Sequence, residues 1–201
     1  MKADGGVIGV VLAGGESRRM NRDKATLSVR GYATLMHQQV SLLKKLSLKR
    51  VVISRHQKHD TPADLVKDVI PDNNPNHHDG PLAGLLAVAK AFPSAAGLLV
   101  LPVDLPLMSV SLMSRLLEYG QTASQTAHFQ DEYFPLFLNL GRRERDYLAD
   151  QFDLATGNRS VHSLLHAIQA VEIEHSQPRA FMNTNTESEW EAAQTIRIEH
   201  G

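Results

Sequence analysis

Six residues, Val7-Ile-Gly-Val-Val-Leu12, run straight into Ala13-Gly14-Gly15. The run is β-branched and too short for a membrane helix, so it predicts a strand buried on both faces, as in parallel sheets. The glycine pair then predicts a sharp turn whose uncovered amides a phosphate can approach. Arg18, Arg19, Arg22 and Lys24 follow, four cations within seven residues. A strand, a glycine turn and a cation cluster in this order suit a polyphosphate cradle at the carboxyl end of a buried strand. They equally suit a tight turn followed by solvated surface. Neither G-x-x-x-x-G-K-[ST] nor G-x-G-x-x-G is present, so the two commoner phosphate loops are excluded.

Strand and helix signals alternate downstream. Leu35 to Leu48 carries apolar residues at helical spacing. Val51 to Ser54 and Val69-Ile70 read as strands, the second a short edge strand, and a helical turn is expected over Asp64 to Lys67. The stretch 71–79 is loop by composition. Gly80-Pro81 opens a helix, since proline suits the first turn. Gly97 to Pro102 is a second buried strand, and Ser109 and Gly120 are the expected cap and end of the next helix. Gln125 to Phe129 and Tyr133 to Asn139 form a predicted hairpin. Helices are expected around Arg143 to Gln151 and Arg159 to Ile168, then a strand at Val171 to Glu174. A T-x-x-E capping box, Thr186 and Glu189, starts the last helix. This order predicts an α/β fold: a single-domain, Rossmann-like, mainly parallel sheet with helices on both faces, over residues 1–201.

In such sheets ligands bind beyond the carboxyl ends of the strands. Ala13-Gly14-Gly15, Ser54-Arg55, Asp72 and Asp104 all stand at those ends. Asp104 lies in Pro102-Val-Asp-Leu-Pro106, where two prolines stiffen the backbone. A carboxylate held this way suits magnesium, which takes one or two carboxylates plus phosphate oxygens. It also suits a simple cap. Ten histidines invite a metal reading. His162 and His166 share a helix face, and His77-His78 precede Asp79, but neither pair has a third ligand at motif spacing.

Composition narrows the partners. A formal charge of −1 offers no global field for nucleic acid or an anionic membrane. Cysteine is absent, which excludes disulfides and thiolate metal sites and fits the reducing cytoplasm. Neither a leader peptide nor a membrane span is expected.

Leu12-Ala-Gly-Gly-Glu-Ser-Arg-Arg-Met-Asn-Arg-Asp-Lys24 resembles the L-A-G-G-x-S-x-R-M-G-x-D-K motif of the molybdenum cofactor guanylyltransferases and their nucleotidyltransferase relatives. Leu12, Ala13, Gly14, Gly15, Ser17, Arg19, Met20, Asp23 and Lys24 match, while Asn21 stands where the family usually has glycine. Pro102 to Pro106 resembles the family's metal-holding aspartate loop. Gly80-Pro81-Leu82-Ala-Gly84 resembles the helix start that lines its nucleotide pocket. Phe181 to Thr186 resembles its F-x-N-x-N-T-P-E segment, with Glu187 in place of proline.

The resemblance implies a nucleotide-diphospho-sugar transferase-like fold and transfer of GMP from GTP to the molybdenum-molybdopterin cofactor with Mg2+. Arg19, Lys24 and Asp104 would be catalytic. Leu12, Ala13, Gly14, Gly15, Lys24, Ser54, Asp72, Gly80, Pro81, Leu82 and Asp104 would meet the nucleotide, with Asp104 on the metal. Arg159, Asn183 and Asn185 would face the acceptor, and molybdoenzymes or their chaperones would be downstream partners. Two alternatives stay open: a relative using cytidylyl transfer or a sugar-phosphate acceptor, and a nucleotide-binding regulator without turnover. Asn21, Glu187 and Ser54 are the departures on which the second rests.

Overall fold

The computed structural model describes residues 5–14, 23–72, 80–153 and 157–200, without the side chains of 153 and 197–200. Its strands are β1 (Val7–Leu12), β2 (Arg50–Arg55), β3 (Val69–Pro71), β4 (Gly97–Pro102), β5 (Ala127–Phe129), β6 (Leu136–Asn139) and β7 (Val171–Ile173). They form one seven-stranded sheet in the order β3-β2-β1-β4-β6-β5-β7. β1 pairs in parallel with both β2 and β4, and β2 with β3. Only β6 runs against its neighbours, since the hairpin lays β6 beside β4 and leaves β5 to pair in parallel with β7.

The helices are α1 (Leu35–Lys44), α2 (Gly80–Ala91), α3 (Val110–Ala123), α4 (Arg142–Asp153), α5 (Val161–Ala167) and α6 (Glu187–His200). Alternation along the strands divides the core in two. Val7, Val11, Ile53, Leu99 and Leu101 meet α1, α3 and Trp190 of α6 on one face. Ile8, Val10, Val52, Leu98 and Val100 meet α2, α4 and α5 on the other. No helix among the described residues is long and apolar enough to cross a membrane.

Several element boundaries differ from expectation: β5 and β6 start at Ala127 and Leu136 rather than Gln125 and Tyr133, and α5 at Val161 rather than Arg159. α1 ends at Lys44 rather than Leu48, and Leu46 and Leu48 pack on the core from the following turn. Gly120 does not end its helix: α3 runs on to Ala123, and Ser124 takes the left-handed conformation at φ 52°. Gly120 serves close packing instead, since a Cβ there would lie 2.1 Å from Cδ1 of Phe137. The helical turn foreseen before β3 sits at Val66–Asp68. The capping box is present: the Glu189 carboxylate accepts from the Thr186 amide at 2.8 Å, and Thr186 Oγ1 accepts from the Glu189 amide at 3.3 Å.

Candidate active site

The chain turns from one half of the sheet to the other between β1 and β4, the switch point at which open α/β sheets hold ligands. Leu12 is in register with Ser54 of β2 and Pro102 of β4, so β1 and β4 end level and β2 runs one residue further. Past that line the segments are laced together. The Ala13 amide donates to the Ser54 carbonyl at 2.9 Å, and the Val103 amide donates to the Leu12 carbonyl at 3.0 Å. Asp72, leaving β3, donates its amide to the Arg55 carbonyl at 3.1 Å.

Asp104 sits on a loop held from two directions. Gln38 and Gln39 of α1 donate their side-chain amides to the carbonyls of Pro106 at 2.6 Å and Leu105 at 2.9 Å. Thr184, near the far end of the chain, donates its amide at 3.1 Å and its hydroxyl at 3.3 Å to the Asp104 carbonyl. The backbone is thus fixed without using the carboxylate. Burial pushes the Asp104 carboxyl above the usual carboxylate range; nearby Lys24 and Asp104's own amide pull it partly back. A buried carboxylate of this kind favours a cation.

Lys24 supplies one. It opens a short 3-10 turn, Lys24–Thr26, capped by Asp23, whose Oδ1 accepts from the Ala25 amide at 3.1 Å. In sequence Lys24 reads as a residue of a polar loop. In the structure it is buried, and its Nζ donates to Asn185 Oδ1 at 2.6 Å. Lys24, Asp104 and Asn185 therefore come together from the turn before α1, the loop after β4 and the segment before α6. Among the described residues no three carboxylates, imidazoles or thiols come together to hold a metal by themselves. A cation at Asp104 would need oxygen ligands from elsewhere, which fits magnesium sharing a nucleotide's phosphates.

The other expected residues have varied surroundings. Gly15 and Arg19 lie outside the described residues, as do Asn21, His77, His78 and Asp79. Gly14 is not in the left-handed region, and among the described residues a Cβ there would meet nothing closer than 3.8 Å. Gly80 has φ +60°, a left-handed conformation that favours glycine, and a Cβ there would come 3.7 Å from the Arg159 carbonyl. Arg159 is thereby beside the start of α2, with its guanidinium 4.8 Å over the Phe152 ring. Leu82 is fully buried in the core with Ala13 close-packed as well, so each has only backbone to offer a ligand. Ser54 is 3% exposed, and its hydroxyl lies where a Cβ on Gly84 would fall, at 2.1 Å. Its side chain packs β2 against α2. Asn183 is exposed, and Asn185 half-buried on Lys24.

The MobA-like NTP transferase domain matches residues 9–173. The chain belongs to that family. As a member of the MobA-like family it is a nucleotidyltransferase. Its sequence is 35% identical over 184 residues to the molybdenum cofactor guanylyltransferase of Xanthomonas euvesicatoria, covering 90% of this chain and 91% of the relative. The fold resembles molybdopterin-guanine dinucleotide biosynthesis protein A of Archaeoglobus fulgidus, with TM-score 0.73, 19% identity and coverage of 96% and 99% of the two chains. It also resembles Rv0371C of Mycobacterium tuberculosis, solved in complex with manganese, with TM-score 0.64, 16% identity and coverage of 94% and 98%.

Sequence reasoning placed Arg55 at the end of its strand without a role, and missed Gln38, Gln39 and Thr184. Gln38 and Gln39 carried a signal: two amides among Leu35, Met36, Val40, Leu42 and Leu43 fall next to an apolar face, where polar groups need partners. Arg55 carried a fainter one, as a cation closing the apolar strand Val51-Val-Ile. Thr184 gave none, because its partner is 80 residues away.

Proposed function

We propose that this protein transfers the guanylyl group of GTP to the terminal phosphate of the molybdenum-molybdopterin cofactor and releases pyrophosphate. The observation that carries the reading is the meeting of Lys24, Asp104 and Asn185 at the switch point between β1 and β4. The choice of GTP and of this acceptor is supported by the name of the Xanthomonas relative.

The chemistry asks little of a general base, because a phosphate monoester is largely ionised at neutral pH, its second pKa being about 6. An acceptor oxygen attacks the α-phosphorus, the bond from that phosphorus to the bridging oxygen breaks, and pyrophosphate leaves with the electron pair. The protein must hold two anions together in line and stabilise charge growing on the leaving group. Lys24, anchored by Asn185, would stand against that charge, helped by the Gly14 and Gly15 amides and by Arg19. Asp104 would hold magnesium, which when bound neutralises the phosphate oxygens. Asp72, Gly80, Pro81 and the Leu82 backbone would border the nucleoside, and Arg159, Asn183 and Asn185 the acceptor. Both substrates are met in the cytoplasm, and the product passes to molybdoenzymes or their chaperones.

The test is release of pyrophosphate by the purified protein with GTP, magnesium and molybdenum-molybdopterin. We expect release that requires all three. Release with CTP and not with GTP would make the protein a cytidylyl transferase. Nucleotide binding without release under these conditions would make it a regulator.

A further inference from the structure

Arg55 is 1% exposed, the lowest exposure of any charged residue described, and it is the last residue of β2. Its guanidinium touches three separate pieces of chain. Nη1 donates to the Ala13 carbonyl at 2.7 Å. Nε and Nη2 donate to the Asp60 carbonyl at 3.2 and 2.6 Å. Nη2 also pairs with the Asp23 carboxylate. Ala13 is the last residue before the glycine pair, and Asp23 the last before Lys24. One planar group therefore grips the chain on both sides of the segment 14–22. Asp23 passes the constraint on, since its other carboxylate oxygen caps the turn that carries Lys24. Only arginine can do this. Its five N–H donors lie in one rigid fork, whereas lysine is a single point of charge on a flexible stem.

We propose that Arg55 is a positioning residue for nucleotidyl transfer: its guanidinium sets the spacing between the end of β1 and the Asp23–Lys24 turn, and so places the Lys24 ammonium against the leaving phosphates. The role rests on the reaction proposed above. Arg55 itself touches no substrate. It acts through Ala13, Asp23 and Lys24.

The experiment compares wild type with Arg55→Lys, Asp23→Asn and the double variant, each well below its own melting temperature. Two quantities are read: kcat and KM for GTP, and hydrogen exchange of the Ala25, Thr26 and Leu27 amides without nucleotide. Misplacement of a contact by about 1 Å commonly costs on the order of 100-fold. We expect that loss in kcat/KM for each single variant, and no larger loss for the double, because both changes break one link. Exchange should quicken at least about tenfold at Ala25 to Leu27, while Leu98 to Leu101 of β4 stay protected. Turnover within about threefold of wild type in the folded variants, or loosening spread evenly into β4, would overturn the proposal and leave Arg55 a stabilising residue only. If Arg55→Lys fails to fold, Asp23→Asn decides, since asparagine keeps the size and the cap. If wild type neither binds nor uses GTP, the reaction is wrong, and the exchange measurement still decides whether Arg55 fixes the turn.

Discussion

In the proposed reaction Asp104 carries a conflict between stability and use. Burial raises its carboxyl pKa, so ionisation is harder in the folded chain than in the unfolded one. The sign follows by linkage. Below the unfolded value, about 3.9, both states are protonated and the group contributes nothing. As pH rises from there through the raised folded value, the unfolded chain loses its proton first, and stability falls. Above the folded value the loss is complete. Asp104→Asn removes this cost while Thr184 still holds the residue 104 carbonyl. Without nucleotide, the variant should therefore melt at or above the wild-type temperature at pH 8, with the difference vanishing near pH 4. Its pyrophosphate release should fall about 100- to 1,000-fold, the usual loss for one preorganised electrostatic contact. A variant that melts lower at pH 8 yet turns over normally would mark Asp104 as a structural residue.

Among the elements, α3 shows packing overruling local preference. Gly120 lies inside the helix, where alanine is favoured over glycine by about 1 kcal/mol. Its absent Cβ is filled by Phe137 of β6, itself 2% exposed. Overpacking a core costs about 1–3 kcal/mol, and a ring lodged between helix and sheet has little room to retreat. Gly120→Ala should thus be destabilising in urea unfolding, and Gly120→Ala with Phe137→Leu should recover much of the loss. A stabilised single variant would mean that the ring moves freely. The same residue shows what sequence can carry. β1, β2 and β4 were legible because a strand buried on both faces must be apolar throughout, and the start of α6 because a capping box is local. Gly120 read as a helix end because a glycine's reason lies in the partner that fills its missing side chain. The fork of Arg55 was illegible on the same ground: Asp60 is five residues away, but the acceptors on Ala13 and Asp23 adjoin it only once β1 and β2 pair.

For the whole molecule, the site is a property of the assembled sheet. Lys24 lies 161 positions from Asn185, and Asp104 lies 80 from Thr184, so no short segment holds more than a fraction of it. The matched family domain stops at residue 173, short of Thr184 and Asn185, which nevertheless close on the Lys24 turn and the Asp104 loop. A ligand bound across these groups would bind the native chain and not the unfolded one. Such a ligand stabilises by about 2.7 kcal/mol at 100 times its dissociation constant. GTP with magnesium should therefore raise the temperature of one cooperative unfolding transition. Asn185→Ala should reduce the shift, because Lys24 loses its anchor, and Asp104→Asn should remove the magnesium-dependent part. CTP at the same concentration should give a smaller shift. Scanning calorimetry with each nucleotide checks this. Equal shifts with GTP and CTP would place recognition on the phosphates alone and move the choice of base to the catalytic step. A shift in wild type that Asp104→Asn reproduces in full would detach magnesium from Asp104.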